Sequence, residues 1–307
     1  MTQASKPAAL APIAGVFPIS EMHWETADPF LFCAHHVDHY PPGNGELGPA
    51  ASLAGRELGS DFAGKDGWRM YHGTRVPGFP AHPHRGFETI TLMRKGLVDH
   101  SDSLGATARF GEGDVQWMTA GSGLLHKEFH EKELNRTGGP FQMVQLWVNL
   151  PAKDKMTEPK YQAITNAEMG RVKLPLGGEV EIIAGEYGGV NGPATTFTPV
   201  HLYNLKMKQG ETVELSYPEG YTTALLAIEG SALLNGEARL PDNNLALFER
   251  DGETLRVAAL EDGIFLLMSG EPLNEPIAQY GPFLMNTQAE IAQAIDDYQQ
   301  GKFGYLR

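Results

Sequence analysis

Short runs of alternating apolar and polar residues, separated by turns rich in glycine and proline, make up most of the chain. Alternation with a period of two is typical of β-strands that bury one face. In the first half, turns containing Gly96, Gly105 and Gly138 separate such runs at intervals of about 8–12 residues, as in sandwiches and barrels. The runs of this block are ETITLM, LVDHSD, ATARF, DVQWMT and FQMVQLWVNL.

A second block with the same style of strand and turn follows a predicted linker at residues 151–159. The pattern therefore predicts an all-β protein that contains two β-barrels, as a structural repeat rather than a close sequence repeat. We predict two domains, residues 1–155 and residues 156–307. The runs of the second block are VEIIAGEY, TTFTPVHLYNLKM, ETVELSY, YTTALLAIEG, SALLNGE, NLALFE, LRVAAL and GIFLLMSG.

The segments that precede the first block predict two strands and a loop. Residues 16–39 have the pattern of two strands around a turn at Asp28-Pro29. Residues 40–66 are rich in glycine, proline and small side chains. We therefore expect an irregular loop there, and loops of this length often lie over functional sites.

The hydrophobic period changes near the end of the chain. Thr287 and Glu290 have the spacing of a capping box, and apolar residues follow at helical spacing from Ile291. Gly301 is suited to end such a helix. We therefore predict one C-terminal helix over residues 287–300.

Composition and charge exclude several classes of function. The net charge of -14 and a pI near 5.2 disfavour direct binding to nucleic acid. Cys33 is the only cysteine, so no disulfide framework is expected, as in a reducing compartment. No apolar run approaches the roughly 18–20 residues of a membrane span, and residues 1–18 carry one positive charge and three prolines, unlike a signal peptide. We expect a cytoplasmic protein, and a monomer because two barrels in one chain can cover each other's contact face.

Two short pairs of residues carry the candidate chemistry. His82 and His84 flank Pro83, and His126 and Glu128 flank Lys127. On a β-strand, residues at positions i and i+2 point to the same face. If the two strands face each other, three imidazoles and one carboxylate converge, which is a ligand set for a divalent transition metal with room for water, substrate or oxygen.

The distribution of histidines restricts this chemistry to the first half of the chain. Ten of the eleven histidines lie at or before His130, and only His201 lies in the second block. The second barrel therefore cannot assemble a site from several histidines. Two further candidates stay open: Glu88, four residues after His84, as a ligand, and His130, which would join the site only from a helix. The alternative for any lone histidine pair is a structural or surface role.

Four stretches resemble the signature sequences of the pirin family, which belongs to the cupin superfamily. They are HPHRGFETIT (82–91), GDVQWMTAGSGLLHKE (113–128), VQLWVNL (144–150) and GPFLMNTQAEIAQAIDDYQQGKFG (281–304). The resemblance implies a bicupin, with two β-barrel cupin domains packed face to face and metal in the N-terminal one alone. It implies iron held by His82, His84, His126 and Glu128, with Mn, Co, Ni, Cu or Zn as alternatives. Glu88 would then orient a ligating histidine instead of binding metal.

The same resemblance implies two functions of different classes. Several bacterial pirins look like quercetin 2,3-dioxygenases, which open a flavonol ring with O2. For this chain, that implies a metal-dependent dioxygenase in which Glu128, as general base, takes the proton of a small aromatic substrate. The alternative is an iron-binding, redox-sensitive regulatory protein that binds a transcription factor or an enzyme without turnover, as described for the animal protein.

Overall fold

The computed structural model describes residues 9–19, 23–24 and 26–306, and these residues are mostly in β-strands. The longer strands alternate buried and exposed positions or are buried throughout, as the sequence pattern predicts. The strands are β1 (Ile13–Pro18), β2 (His23–Trp24), β3 (Phe30–Tyr40), β4 (Gly78–His84), β5 (Phe87–Lys95), β6 (Leu97–Asp102), β7 (Thr107–Gly111), β8 (Val115–Thr119), β9 (Leu124–His130), β10 (Gly139–Asn149), β11 (Lys160–Ile164), β12 (Gly170–Lys173), β13 (Glu179–Ala184), β14 (Glu186–Tyr187), β15 (Val190–Asn191), β16 (Val200–Met207), β17 (Thr212–Ser216), β18 (Thr222–Glu229), β19 (Ala232–Leu234), β20 (Ala238–Leu240), β21 (Asn244–Phe248), β22 (Thr254–Ala259), β23 (Gly263–Gly270), β24 (Ala278–Tyr280) and β25 (Phe283–Met285).

Helices are few among the described residues. The α-helices are α1 (Lys132–Thr137) and α2 (Gln288–Gln299), and short 3₁₀ turns occur at Lys65–Gly67, Ala152–Asp154 and Asn166–Glu168. Helix α2 has the capping box between Thr287 and Glu290, which confirms the predicted C-terminal helix. Helix α1 was not predicted. Within the described residues, neither helix has the length and apolar character needed to cross a membrane.

The described residues divide into two compact units. The N-terminal unit contains residues 23–24, 26, 30–167 and 274–306, and the C-terminal unit contains residues 9–19, 27–29 and 168–273. Neither unit is continuous, so the division differs from the predicted boundary between residues 155 and 156. The difference arises from strand pairing: β11 pairs with β8, and β1 pairs with β21. Helix α2, which was predicted to end the second domain, lies in the N-terminal unit.

Two sheets form the main body of the N-terminal unit. One has the strand order β11-β8-β5-β10-β3-β2 and the other has the order β4-β9-β6-β7. Apolar side chains from both sheets join in one core, for example Met93 and Met143 from the first and Val98 and Phe110 from the second. Burial of this shared core provides the main driving force that holds the sheets together.

The C-terminal unit repeats this arrangement with its own core. Its sheets have the orders β1-β21-β18-β23-β16-β13-β12 and β17-β22-β19-β20. Leu205 and Leu225 from the larger sheet pack in one cluster with Leu234 and Val257 from the smaller, and all four are fully buried. The predicted all-β class with a structural repeat is therefore confirmed.

The predicted loop and linker have different outcomes. Most of residues 40–66 is irregular, as expected. Residues 151–159, predicted to be a linker, belong to the N-terminal unit and are mostly exposed or partly exposed, except for Lys155, which is 2% exposed. The Lys155 ammonium donates to the backbone carbonyls of Gly86 and Leu284 at 2.9 and 3.2 Å. These bonds satisfy a buried charge and tie this segment to the unit.

In segment 16–39, β3 confirms the second predicted strand, whereas residues 20–22 and 25 lie outside the described residues.

Candidate metal centre

The two predicted pairs lie on neighbouring strands of the smaller N-terminal sheet. Strand β9 pairs with β4, and His126 is directly opposite His82 in the register. His126 and Glu128 alternate with partly exposed residues on β9, so both point to the buried face. The ring centroids of His82, His84 and His126 are 4.2–4.8 Å apart. The structure thus brings His126 next to the His82 and His84 imidazoles, which lie more than 40 residues earlier in the sequence.

Candidate ligand atoms form two groups that share His126. One nitrogen from each of His82, His84 and His126 lies within 4.8 Å of the others. A second group, with the same limit on distance, contains His100, His126 and Glu128. All four residues singled out from the sequence are therefore present, together with His100.

Burial keeps the imidazoles neutral. It lowers the pKa of His84 and His126 well below the usual value, and neighbouring histidine charges lower both further. Burial also lowers the pKa of His82, which is only partly exposed. Neutral imidazole is the form that binds a metal, so the cluster needs no deprotonation near neutral pH.

The hydrogen-bonding groups of these rings also fit a metal. His82 Nδ1 lies 2.8 Å from the Pro80 carbonyl, which can only accept, so Nδ1 donates and Nε2 keeps its lone pair. Both ring nitrogens of His126 and Nδ1 of His84 are buried without a hydrogen-bond partner in the described part of the chain. Buried polar atoms are normally satisfied, so His84 Nδ1 and the unprotonated one of the two His126 nitrogens fit an electrophilic ligand such as a metal cation.

Glu128 supplies a buried carboxylate with a fixed orientation. Burial raises its pKa, while the charge of His100 and a hydrogen bond from Gln116 oppose that rise. Gln116 Nε2 donates to Glu128 Oε1 at 2.9 Å, and the Tyr161 hydroxyl donates to Gln116 Oε1 at 3.1 Å. A divalent cation would offset the cost of burying this charge.

Sequence reasoning missed His100, Gln116 and Tyr161. His100 lies opposite Glu128 in the pairing of β6 with β9, and its ring stacks on Tyr161 at 4.8 Å. His100 Nε2 is 3.3 Å from Asp102 Oδ2. A signal was present, because His100 and Asp102 also have the i, i+2 spacing within a strand-like run. Tyr161 had no comparable signal, since it lies just beyond the predicted linker.

Glu88 lies apart from the two ligand groups of the described residues. The Thr119 hydroxyl donates to Glu88 Oε1 at 2.6 Å, and Thr119 is the cross-strand partner of Glu88 between β5 and β8. Burial raises the pKa of Glu88 to about 7, against hydrogen bonds from Thr119 and Trp117 that lower it. This carboxyl group is therefore a buried titrating group near neutral pH.

Replacing Glu88 with glutamine should change how stability depends on pH. The folded protein holds a proton on Glu88 up to about pH 7, whereas the unfolded chain releases it near pH 4.5. The free energy of unfolding of the wild type should therefore fall by about 3 kcal/mol relative to Glu88→Gln between these pH values. Urea unfolding of both proteins at pH 5 and pH 8, after metal removal with a chelator, measures this difference. Parallel pH profiles would contradict it.

An apolar cavity lies next to Glu128. Phe79, Val98, Phe141 and Met143 contribute to its wall, and its volume is about 10 Å³. That is room for at most one water molecule. The cavity therefore has apolar walls but no space for a flat aromatic ligand.

Tyr71 closes this cavity from the segment that connects β3 and β4. Its ring stacks on Phe79 at 5.1 Å, and its hydroxyl donates to Asp38 on β3. Arg69 donates to the same Asp38 carboxylate at 2.9 Å. Tyr71, just after the loop predicted to lie over a site, thus forms part of the wall of the cavity beside Glu128.

Three other histidines have different surroundings. The ring of His130 packs edge-on against Tyr40 at 4.0 Å, and His36 packs edge-on against Tyr71 at 5.0 Å. His201 lies in the C-terminal unit, where Nδ1 is 2.7 Å from the Tyr203 hydroxyl. In the described residues, these three histidines belong to neither ligand group.

Comparison with known proteins covers both units. The family model described as Pirin matches residues 19–148, and the model described as Pirin C-terminal cupin domain matches residues 202–304. The chain is 47% identical over 227 residues to a Pseudomonas aeruginosa protein provisionally named quercetin 2,3-dioxygenase, covering 74% of this chain and 79% of that protein. It is 37% identical over 242 residues to Pirin from Homo sapiens, covering 77% and 81%.

A solved structure matches nearly the whole chain. The crystal structure of quercetin 2,3-dioxygenase from Acinetobacter baumannii has a TM-score of 0.81 and 38% sequence identity. The match covers 96% of this chain and 99% of that one. The two-cupin architecture expected from the sequence is therefore confirmed.

Proposed function

The chain belongs to the pirin family, and from that premise we propose that it is a metal-dependent dioxygenase that opens the ring of a flavonol such as quercetin. The observation that carries the proposal is the pair of candidate ligand groups, one of His82, His84 and His126 and one of His100, His126 and Glu128, which share the buried His126. The names of the Pseudomonas and Acinetobacter relatives support the choice of substrate class.

We propose that His82, His84, His126 and Glu128 hold the metal. Iron is the proposed metal, and imidazole with carboxylate also suits Mn, Co, Ni, Cu or Zn. On a six-coordinate ion these four ligands would leave two positions open, or one if the carboxylate bound through both oxygens. When bound, the metal would lower the pKa of a flavonol hydroxyl and place the substrate beside O2.

Glu128 is the proposed general base. Its carboxylate is buried, and Gln116 holds Oε1 in one orientation, so the proton acceptor has a fixed position. Burial of the rings around it excludes water, which strengthens its electrostatic interactions with a bound substrate. The partly exposed side chain of His82 marks the proposed direction of substrate entry, because the cavity beside Glu128 is too small.

The decisive test is turnover of quercetin by the metal-loaded protein. We expect O2 uptake together with loss of the flavonol absorbance band, with one O2 consumed per flavonol. The protein should be loaded separately with Fe, Mn, Co, Ni and Cu. No turnover with any of these metals would overturn the proposal.

One observation favours a second function. The cavity beside Glu128 holds at most one water, so a metal here could change its oxidation state without meeting an aromatic substrate. This suits a redox-sensitive protein that binds a transcription factor or enzyme without turnover. Partner retention that depends on the oxidation state of the metal, with no flavonol consumed, is the expected result for this function. Equal retention with and without metal would contradict it.

Cytoplasmic localisation, a monomeric state and the lack of direct nucleic-acid binding stay predictions from the sequence.

A further inference from the structure

The last segment of the chain, which belongs to the N-terminal unit, is hydrogen-bonded to Arg85, the residue that follows His84. Arg85 is 3% exposed, and its Nε donates to the Ser122 carbonyl at 2.7 Å. Its Nη1 donates to Asp297 Oδ2 on α2 at 2.9 Å. The guanidinium also lies over the ring of Phe303, 4.7 Å from the centroid. One buried cation therefore joins the ligand strand β4 to helix α2 and to the chain beyond it.

Backbone contacts connect the same two segments of the chain. Leu284 N donates to the Arg85 carbonyl at 3.1 Å, and Arg85 pairs with Phe283 in a parallel bridge. A Cβ at Gly86 would lie 2.0 Å from the Leu284 carbonyl, so only glycine permits this approach. The His84 ring donates a hydrogen bond to the Pro282 carbonyl, an arrangement that orients a ligating imidazole.

The outer face of the second ligand strand meets the same segment. Leu125, which precedes His126 on β9, packs against the apolar cluster that α2 forms with Phe283, Met285 and Phe303. Gly123 approaches Phe303 so closely that a Cβ there would lie 2.4 Å from the ring. Both strands that carry the candidate ligands are therefore held from outside by residues 282–303.

We propose that Arg85 and Asp297 are positioning residues, which lock α2 onto β4 and thereby set the affinity of the centre for its metal. The proposal rests on the metal centre proposed above. A charged hydrogen bond of this kind is short and directional, and it is buried where water cannot compete. Removing one partner leaves the other charge buried and unpaired, so the backbone around His84 would gain freedom.

Asp297→Asn tests this with Co²⁺ as the probe. The asparagine keeps the volume of the side chain but not its charge. We expect the dissociation constant for Co²⁺ to rise about tenfold, the usual cost of losing an outer partner of a ligand. The visible absorption bands of bound Co²⁺, which report ligand geometry, should shift as well. Phe303→Leu is a second variant that introduces no unpaired charge, and it should shift the same bands with a smaller loss of affinity.

Two control variants separate positioning from helix stability. Lys302→Gln removes the other cation bonded to Asp297, at 2.7 Å, and leaves Arg85 in place. Glu290→Gln weakens the capping box of α2 at the far end of the helix. Both should keep the wild-type Co²⁺ affinity and spectrum. Unchanged affinity and spectrum in Asp297→Asn and Phe303→Leu, or an equal loss of affinity in Glu290→Gln, would overturn the proposal.

The outcome for the positioning pair is distinguishable from that for the centre itself. His126→Ala removes a proposed ligand and serves as the reference. If His126→Ala binds Co²⁺ like the wild type, the proposed metal centre is wrong. If His126→Ala loses Co²⁺ but Asp297→Asn and Phe303→Leu bind Co²⁺ as tightly as the wild type, the proposed metal centre is supported and the positioning role is wrong.

Discussion

Replacing His126 with alanine should abolish stoichiometric metal binding. His126 is 1% exposed, lies opposite His82, and is the residue that both ligand groups share. Its loss removes one of the four proposed ligands and the one residue that links the two groups, so the remaining ligand atoms no longer lie around a common position. We expect the affinity for Fe²⁺ or Co²⁺ to fall by about 100-fold or more. This exceeds the usual effect of removing a residue that only hydrogen-bonds a metal ligand. Elemental analysis of the purified protein and titration with either metal measure this.

His130→Ala is the matched control for this experiment. His130 lies on the same face of the same strand and is also buried, but its ring packs against Tyr40 and Phe141. Deleting it removes a similar volume of buried ring, so the effect of the cavity on stability should be comparable. Metal content should stay at the wild-type level in His130→Ala. Wild-type metal content in His126→Ala would contradict the proposed centre.

The local pattern of the sequence was sufficient to place the candidate ligands on strands. Both i, i+2 pairs lie on strands, and the pairs share one face, because strand geometry alone fixes where alternate side chains point. The same rule applied to His100 and Asp102 would have added a third strand to the site. What the pattern did not contain was the register, since His82 opposite His126 depends on which strands pair.

The unit boundaries could not be predicted for the same physical reason. Alternating hydrophobicity shows that a segment is a strand with a buried face, but it does not name the partner strand. Strand β11 completes the larger N-terminal sheet beside β8, and β1 joins the C-terminal unit beside β21. Non-local pairing of this kind is set by the packing of the whole unit.

Lys155 illustrates a second reason why the sequence alone could not predict the structure. In sequence it is a charged residue between two prolines, which indicates an exposed linker. In the structure its ammonium is buried because two carbonyls and the Asn149 side chain accept its hydrogen bonds. Those acceptors come from three separate segments, so no window of sequence contains them. The C-terminal segment was likewise predicted as a helix but not as a support for β4.

Replacing Glu128 with glutamine should separate metal binding from turnover. The glutamine has the same size and can still accept the hydrogen bond from Gln116, so the fold of β9 should be unchanged. An amide oxygen cannot take up a proton near neutral pH, so a general base would be lost. With the metal saturating, we expect the rate of quercetin turnover to fall by about 10²–10⁴-fold. Oxygen uptake and metal content should be measured on the same sample.

Glu88→Gln makes this experiment specific, because it is the same substitution at another buried carboxyl group. Glu88 is bonded to Thr119 and belongs to neither ligand group in the described residues, so metal content and turnover should stay within a few-fold of the wild type. Full activity in Glu128→Gln would rule out the base. Loss of metal from Glu128→Gln at saturating concentration would instead show that the carboxylate acts mainly as a ligand, because a base is needed only after the substrate is bound.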